Sequence, residues 1–176
     1  MKIIFVRHGE SEGNVAQVIN DDPARPVPLT ARGRQQAQAT AEALRDIPFA
    51  HAYASQFLRT QQTAEILLQG RDCTLDIDAR INERLSGMDG QHIDNFNNFV
   101  RSDPLNIKPL RGESFIEQME RLRGFMDEIA IRHPDGTVLA VSHEHPIVAA
   151  LATVNGQPEQ AIRQSVANCG WVEIEI

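Results

Sequence analysis

The chain has 176 residues, with 17 Lys and Arg against 24 Asp and Glu and a formal charge of -7. At roughly 150 residues per domain this length suits one domain, and such a chain buries about 70% of its extended surface, enough for a core without staples. The acidic balance excludes a reader of nucleic-acid backbone, which needs a basic footprint, yet permits a small anionic ligand held by a local positive patch.

Taken in chain order, the elements alternate. Ile3–Arg7 is a short apolar run and reads as a buried strand. Charge returns at Arg7 too early for the roughly 7–15 apolar residues of a signal peptide. No later run reaches the ~18 residues that span a bilayer, so neither a leader nor a membrane partner is expected. After a loop with Pro23, Pro26 and Pro28, Thr30 is placed to cap a helix running to about Arg45. Ala50–Ser55 reads as a strand, Leu58 to Leu68 as a helix, and Thr74–Ile77 as a third strand. The Asn-rich stretch 87–111 has no clear period. Ser114 caps an amphipathic helix whose apolar face is Phe115, Met119, Leu122, Met126 and Ile129. His133-Pro134-Asp135-Gly136 is a turn, Thr137–Ser142 a strand, Pro146 fits the first turn of a helix, and Trp171–Ile176 closes as a strand. Cys73 and Cys169 fit neither a disulfide framework nor a zinc-ligand spacing, which points to reduced thiols and a cytoplasmic location.

This alternation predicts a single α/β domain over 1–176, three layers deep, with a largely parallel central sheet and helices on both faces. Ligands of such sheets bind beyond the carboxyl ends of the strands. Three of those ends carry chemistry. The first ends in Arg7-His8-Gly9-Glu10, the second runs into Ser55 with Arg59 close behind, and the strand Thr137–Ser142 ends in His143. Guanidinium forks match phosphate oxygens at any pH, and histidine serves as nucleophile or acid-base group near neutrality. Gly9 would let the backbone approach a ligand closely. The spacing predicts a phosphate pocket with a nucleophilic or acid-base histidine.

These residues also stand in recognisable motifs. Arg7-His8-Gly9-Glu10-Ser11 followed by Asn14 resembles the signature of the histidine phosphatase superfamily, which includes the cofactor-dependent phosphoglycerate mutases. In order along the chain, Leu29–Ala37, Ser55–Ala64, Asn82-Glu83-Arg84 with Gly87, Gly112-Glu113-Ser114 and Val141-Ser142-His143 are similar to its further motifs. The resemblance implies that His8 attacks phosphorus and becomes a transient phosphohistidine. It implies that Arg7, Arg59 and His143 hold the phosphoryl oxygens, and that Glu83 protonates the leaving oxygen and then helps activate water. Asn14 and Ser55 would add hydrogen bonds to the phosphate. Neither a metal nor a cofactor is implied, and the partner is a small phosphorylated substrate.

Three departures stand out. Glu144 replaces the glycine that usually follows the second histidine, and it is expected to point away from a phosphate. Gln56 replaces a frequent proline, and the gap from Gly87 to Gly90 is one residue short. The stretch 84–111 is short for the lid of a mutase and has no adjacent arginine pair, which favours hydrolysis over transfer. Mutase-type transfer and a non-catalytic phosphate-binding module are the alternatives, and His143 with His145 raises a metal site as a further one. Asp21 and Asp22, if inward, would disfavour highly anionic leaving groups. Phe96 and Phe99 read as core before they read as lining.

Overall fold

The computed structural model describes residues 1–176. Its centre is a five-stranded sheet in the order β3-β2-β4-β1-β5. The strands are β1 (Lys2–Arg7), β2 (Phe49–Ala54), β3 (Leu75–Ile77), β4 (Thr137–Ser142) and β5 (Trp171–Glu175). β1, β2, β3 and β4 pair in parallel, while β5 returns antiparallel along β1. The expected α/β architecture is therefore present, with element ends within about two residues of the sequence reading.

Side chains alternate across the sheet as the period of two requires. Ile3, Phe5, Tyr53, Val138 and Ala140 face one apolar cluster, shared with α5 (Phe115–Arg132) and α6 (Glu144–Asn155). Ile4, Val6, Ala52, Ala54, Leu139 and Val141 face the other, where Leu44 follows α2 (Ala31–Ala43) and Ala64 and Leu67 belong to α3 (Leu58–Leu67). The layers are thus helix, sheet, helix.

Capping is as the sequence reads. The Thr30 hydroxyl accepts from the N–H of Gly33 at 3.0 Å, and Ser114 with Glu117 forms a reciprocal capping box at the start of α5. The stretch 87–111, which has no readable period, contains α4 (Ile93–Val100). Two short helices, α1 (Glu12–Ala16) and α7 (Pro158–Ala161), also escape a sequence reading because each has about one turn and no apolar stripe. No helix is long and apolar enough to cross a membrane.

Candidate active site

Parallel register builds the site. Arg7 of β1 pairs with Ser142 of β4, so the next residues, His8 and His143, emerge side by side. Their rings meet edge to face with centroids 5.1 Å apart. Ala54 of β2 pairs with Val141, which brings Ser55 and the start of α3 to the same edge. His8, Ser55, Arg59 and His143 are all buried there.

Each ring has a defined tautomer. His8 Nδ1 lies 2.7 Å from the carbonyl oxygen of Gly9; a carbonyl can only accept, so Nδ1 carries the proton and Nε2 the lone pair. His143 Nδ1 accepts from Arg59 Nη2 at 3.2 Å, so its Nε2–H donates to Ser55 Oγ at 2.9 Å. Burial, then the field of Arg59, pushes His8 down to about 3, and the same two causes hold His143 well below the usual histidine range. Both rings are neutral near pH 7.

Arg59 spans the pair. Its Nε donates to His8 Nε2 at 3.2 Å while Nη2 reaches His143. Asn20 holds the other side of the guanidinium: Nη1 donates to Asn20 Oδ1 at 2.6 Å and Nη2 to its backbone oxygen at 3.1 Å. The Phe57 ring covers one face, 4.5 Å from the guanidinium carbon. Burial pulls Arg59 down to about 10, which still leaves it cationic at neutral pH.

Glu83 reaches the same cleft from the segment after β3. Its Oε2 is 3.8 Å from His143 Nδ1, its Oε1 is 3.5 Å from His145 Nδ1, and Oε1 accepts the Arg84 N–H at 2.8 Å. Burial alone would raise this carboxyl, but the bond to His145, the fields of both histidines and the Arg84 N–H together hold it below the usual range. Two anchors position the segment. Ser142 Oγ donates to the Ile81 carbonyl at 2.7 Å, and Arg121 of α5 donates to the carbonyls of Arg80 at 2.6 Å and Asn82 at 3.1 Å.

The structure brings Arg7, His8, Asn14, Arg59 and Glu83 onto the wall of one open cleft. His143 is fully buried and not part of that wall; it touches the wall residues Arg59, at 3.2 Å, and Glu83, at 3.8 Å. Asn14 has two parts to play: its Oδ1 accepts from Ser11 in a capping box, while its Nδ2 has no partner within the chain. Ser55 does not face the cleft. Its hydroxyl lies behind His143, bonded to that ring and 2.7 Å from Thr60 Oγ1.

Other expectations change as well. The space left by Gly9 is filled by the backbone of Gly33, not by a ligand; a Cβ on either glycine would collide with the facing chain. Asp21 turns inward, but its carboxylate accepts from Ser86 N, Ser86 Oγ and Gly87 N, at 2.6, 2.6 and 3.0 Å, and so fastens a loop. Phe96 is buried and lines the cleft, while Phe99 is exposed. Glu144 lines the cleft and pairs with Arg7 at 3.3 Å, contrary to an outward orientation. His143 and His145 both face Glu83, yet the cation of Arg59 occupies His143 Nδ1, and no group of three or more His, Cys, Asp or Glu side chains is gathered to hold a metal. Nothing in the sequence pairs Asn20 with Arg59, since a lone Asn in a polar loop carries no signal for a contact so far along the chain.

The profile of the histidine phosphatase superfamily (branch 1) matches residues 3–176. A probable phosphoglycerate mutase, GpmB, of Cronobacter sakazakii is 30% identical over 185 aligned positions, covering 99% of this chain and 85% of its own. Among solved structures, Bacillus stearothermophilus YhfR superposes with a TM-score of 0.88 at 26% identity, over 99% of this chain and 91% of that one. The alpha-ribazole phosphatase of Shigella flexneri gives 0.87 at 27% identity, over 100% and 91%. With the profile spanning almost the full sequence and the fold shared along its length, the chain belongs to the histidine phosphatase superfamily, branch 1.

Proposed function

We propose that the protein is a metal-independent phosphomonoester hydrolase working through a phosphohistidine on His8. One observation carries this reading: Arg59 bridges the lone pairs of His8 Nε2 and His143 Nδ1, each at 3.2 Å. A phosphoryl group entering there would replace the two imidazoles as acceptor for that guanidinium edge. His8 Nε2 would then be free, neutral and oriented by Gly9 to attack phosphorus. Arg7 and Arg59 would hold the equatorial oxygens as charge redistributes, with Asn14 Nδ2 adding a donor. His143 would need a proton on Nδ1 to join them. A turn of the Ser55 hydroxyl from Thr60 toward His143 Nε2 permits that tautomer.

Glu83 begins as a carboxylate. A phosphoryl dianion beside it raises its proton affinity, which suits it to donate to the leaving oxygen and later to accept a proton from water. The remaining wall of the cleft includes Val18, Ile19, Val27, Ile93 and Phe96. That apolar side favours an uncharged leaving group. Arg84 is not free to bind a second anion there, because its guanidinium is directed at the carbonyls of Pro104, Ile107 and Glu113. A bisphosphorylated sugar acid therefore has few cations to meet, which favours hydrolysis over the mutase reaction in the name of the Cronobacter relative.

The test is a phosphomonoester panel with phosphate release as readout. Wild type should turn over, His8→Ala should not, and Glu83→Gln should slow poor leaving groups far more than p-nitrophenyl phosphate. Equal losses on both substrates would remove Glu83 from the donor role. Faster movement of labelled phosphate between sugar-acid positions than its release would favour the mutase.

A further inference from the structure

Glu144 is the first residue of α6, where the aligned peptide dipoles favour a negative charge. Its carboxylate is held from three sides. Oε1 accepts from Ser165 Oγ at 2.7 Å and from the Val166 N–H at 3.0 Å, while Oε2 lies 3.3 Å from Arg7 Nη1. That same Nη1 donates to the Val166 carbonyl at 2.5 Å. One corner of Arg7 is thus engaged by the chain itself. Its Nε, by contrast, is buried without a partner, and Nη2 makes no hydrogen bond.

We propose that Glu144 is a specificity-determining residue, a resident counter-anion of Arg7 that weakens the hold on a phosphoryl oxyanion and biases the site against highly charged substrates. The proposal rests on the phosphoryl-site reading of Arg7 given above. Without this carboxylate the field of Arg7 at the cleft would go unopposed from that side. Here the cations Arg7 and Arg59 face two carboxylates of the same cleft, Glu83 and Glu144. The carboxylate cannot swing away cheaply, because leaving would strip the part-buried Val166 N–H of its acceptor and part the ion pair with Arg7. An incoming oxyanion must therefore share Arg7 with a fixed negative charge a few ångströms away, where the intervening dielectric screens incompletely. The site releases phosphate readily and gains little from further negative charge on the leaving group.

Calorimetric titration of inorganic phosphate and orthovanadate into the full-length protein tests this. Glu144→Gln, which keeps an acceptor for Ser165 and Val166, should bind both oxyanions about tenfold more tightly than wild type. Glu144→Gly, which removes the carboxylate altogether, should do likewise and offers a second route if the first variant is unstable. Ser165→Ala loosens the same latch without removing charge and should stay within about twofold of wild type. Unchanged or weaker binding in the folded Glu144 variants, or equal tightening in Ser165→Ala, would overturn the proposal. Failure of all these proteins to bind either oxyanion would overturn it together with the phosphoryl site. Binding with the Glu144 effect but no turnover on any ester would overturn the hydrolase reading alone.

Discussion

The hydroxyl of Ser55 stands 2.9 Å from Nε2 of His143, on the side of the ring opposite Arg59. The donors run in one direction: His143 Nε2–H to Ser55 Oγ, Ser55 O–H to Thr60 Oγ1 at 2.7 Å, and Thr60 O–H to the Phe57 carbonyl at 2.7 Å. Every member is buried, so each donor removed leaves a partner without water to replace it. Ser55→Ala should lower kcat by about tenfold or more while the protein stays folded, and Thr60→Val should act in the same direction more weakly. Steady-state rates with circular dichroism check this; a full-rate Ser55→Ala enzyme would mean that the hydroxyl does not orient the ring.

Asn20 is the only protein acceptor that takes both terminal nitrogens of Arg59, through Oδ1 and its own backbone oxygen. The residue is itself tied down, its Nδ2 donating to the Asp22 carbonyl at 3.0 Å and the Arg25 carbonyl at 3.3 Å. Asn20→Ala removes the side-chain acceptor and frees the guanidinium to reorient. The expected result is a fall in kcat/KM of about 10- to 100-fold, the range of a hydrogen bond to a charged group. Kinetics on p-nitrophenyl phosphate measure it.

Stability should depend on pH through the two buried histidines. His8 falls from 6.5 to about 3 in the folded chain, and His143 also lies well below 6.5. Below pH 6.5 the unfolded chain takes up protons that the folded chain refuses. Stability is therefore complete above that pH and is lost as pH falls from 6.5 toward 3. Each histidine contributes up to about 1.4 kcal/mol per pH unit. Urea unfolding at several pH values between 7 and 5 should show the decline, and His8→Gln should flatten its slope by one proton.

Gln118 lies on the buried face of α5 with neither amide atom hydrogen-bonded. An unsatisfied buried amide costs on the order of 1–3 kcal/mol. Gln118→Leu, of similar size, should raise stability by about 1–2 kcal/mol without altering turnover, as read by thermal melting and a rate assay. A lower melting temperature would indicate that the amide is satisfied in solution.

Gly9 and Gly33 press backbone against backbone, the Gly9 turn packing on the first turn of α2. Gly33→Ala must push its Cβ into the Glu10 carbonyl. Overpacking of this kind costs about 1–3 kcal/mol, and here the obstacle is backbone and cannot rotate aside. The variant should melt earlier and lose activity, because the displaced segment carries His8.

Much of this was legible from the residues in order. Apolar runs of strand length, Thr30 and Ser114 as caps, and the five-point stripe of α5 are local patterns, and local patterns report burial and period directly. The stretch 87–111 was opaque because α4 is short and its polar Asn residues carry little helix preference. The ends Arg7-His8, Ser55 and Ser142-His143 could be grouped because parallel strands place their carboxyl ends on one edge of the sheet.

What the sequence determined by itself, then, was the sheet, the edge that bears chemistry and the residue types gathered there. Only the tertiary structure decided the direction each polar side chain takes. Ser55 backs His143, Asp21 fastens Ser86 and Gly87, Asn20 grips Arg59, and Glu144 turns in to Arg7. Each of these joins residues remote in the chain, and no one-dimensional period encodes such partners. A buried polar group must find its hydrogen bonds wherever the packed layers bring a donor or acceptor within reach, so its role is settled last, by the fold.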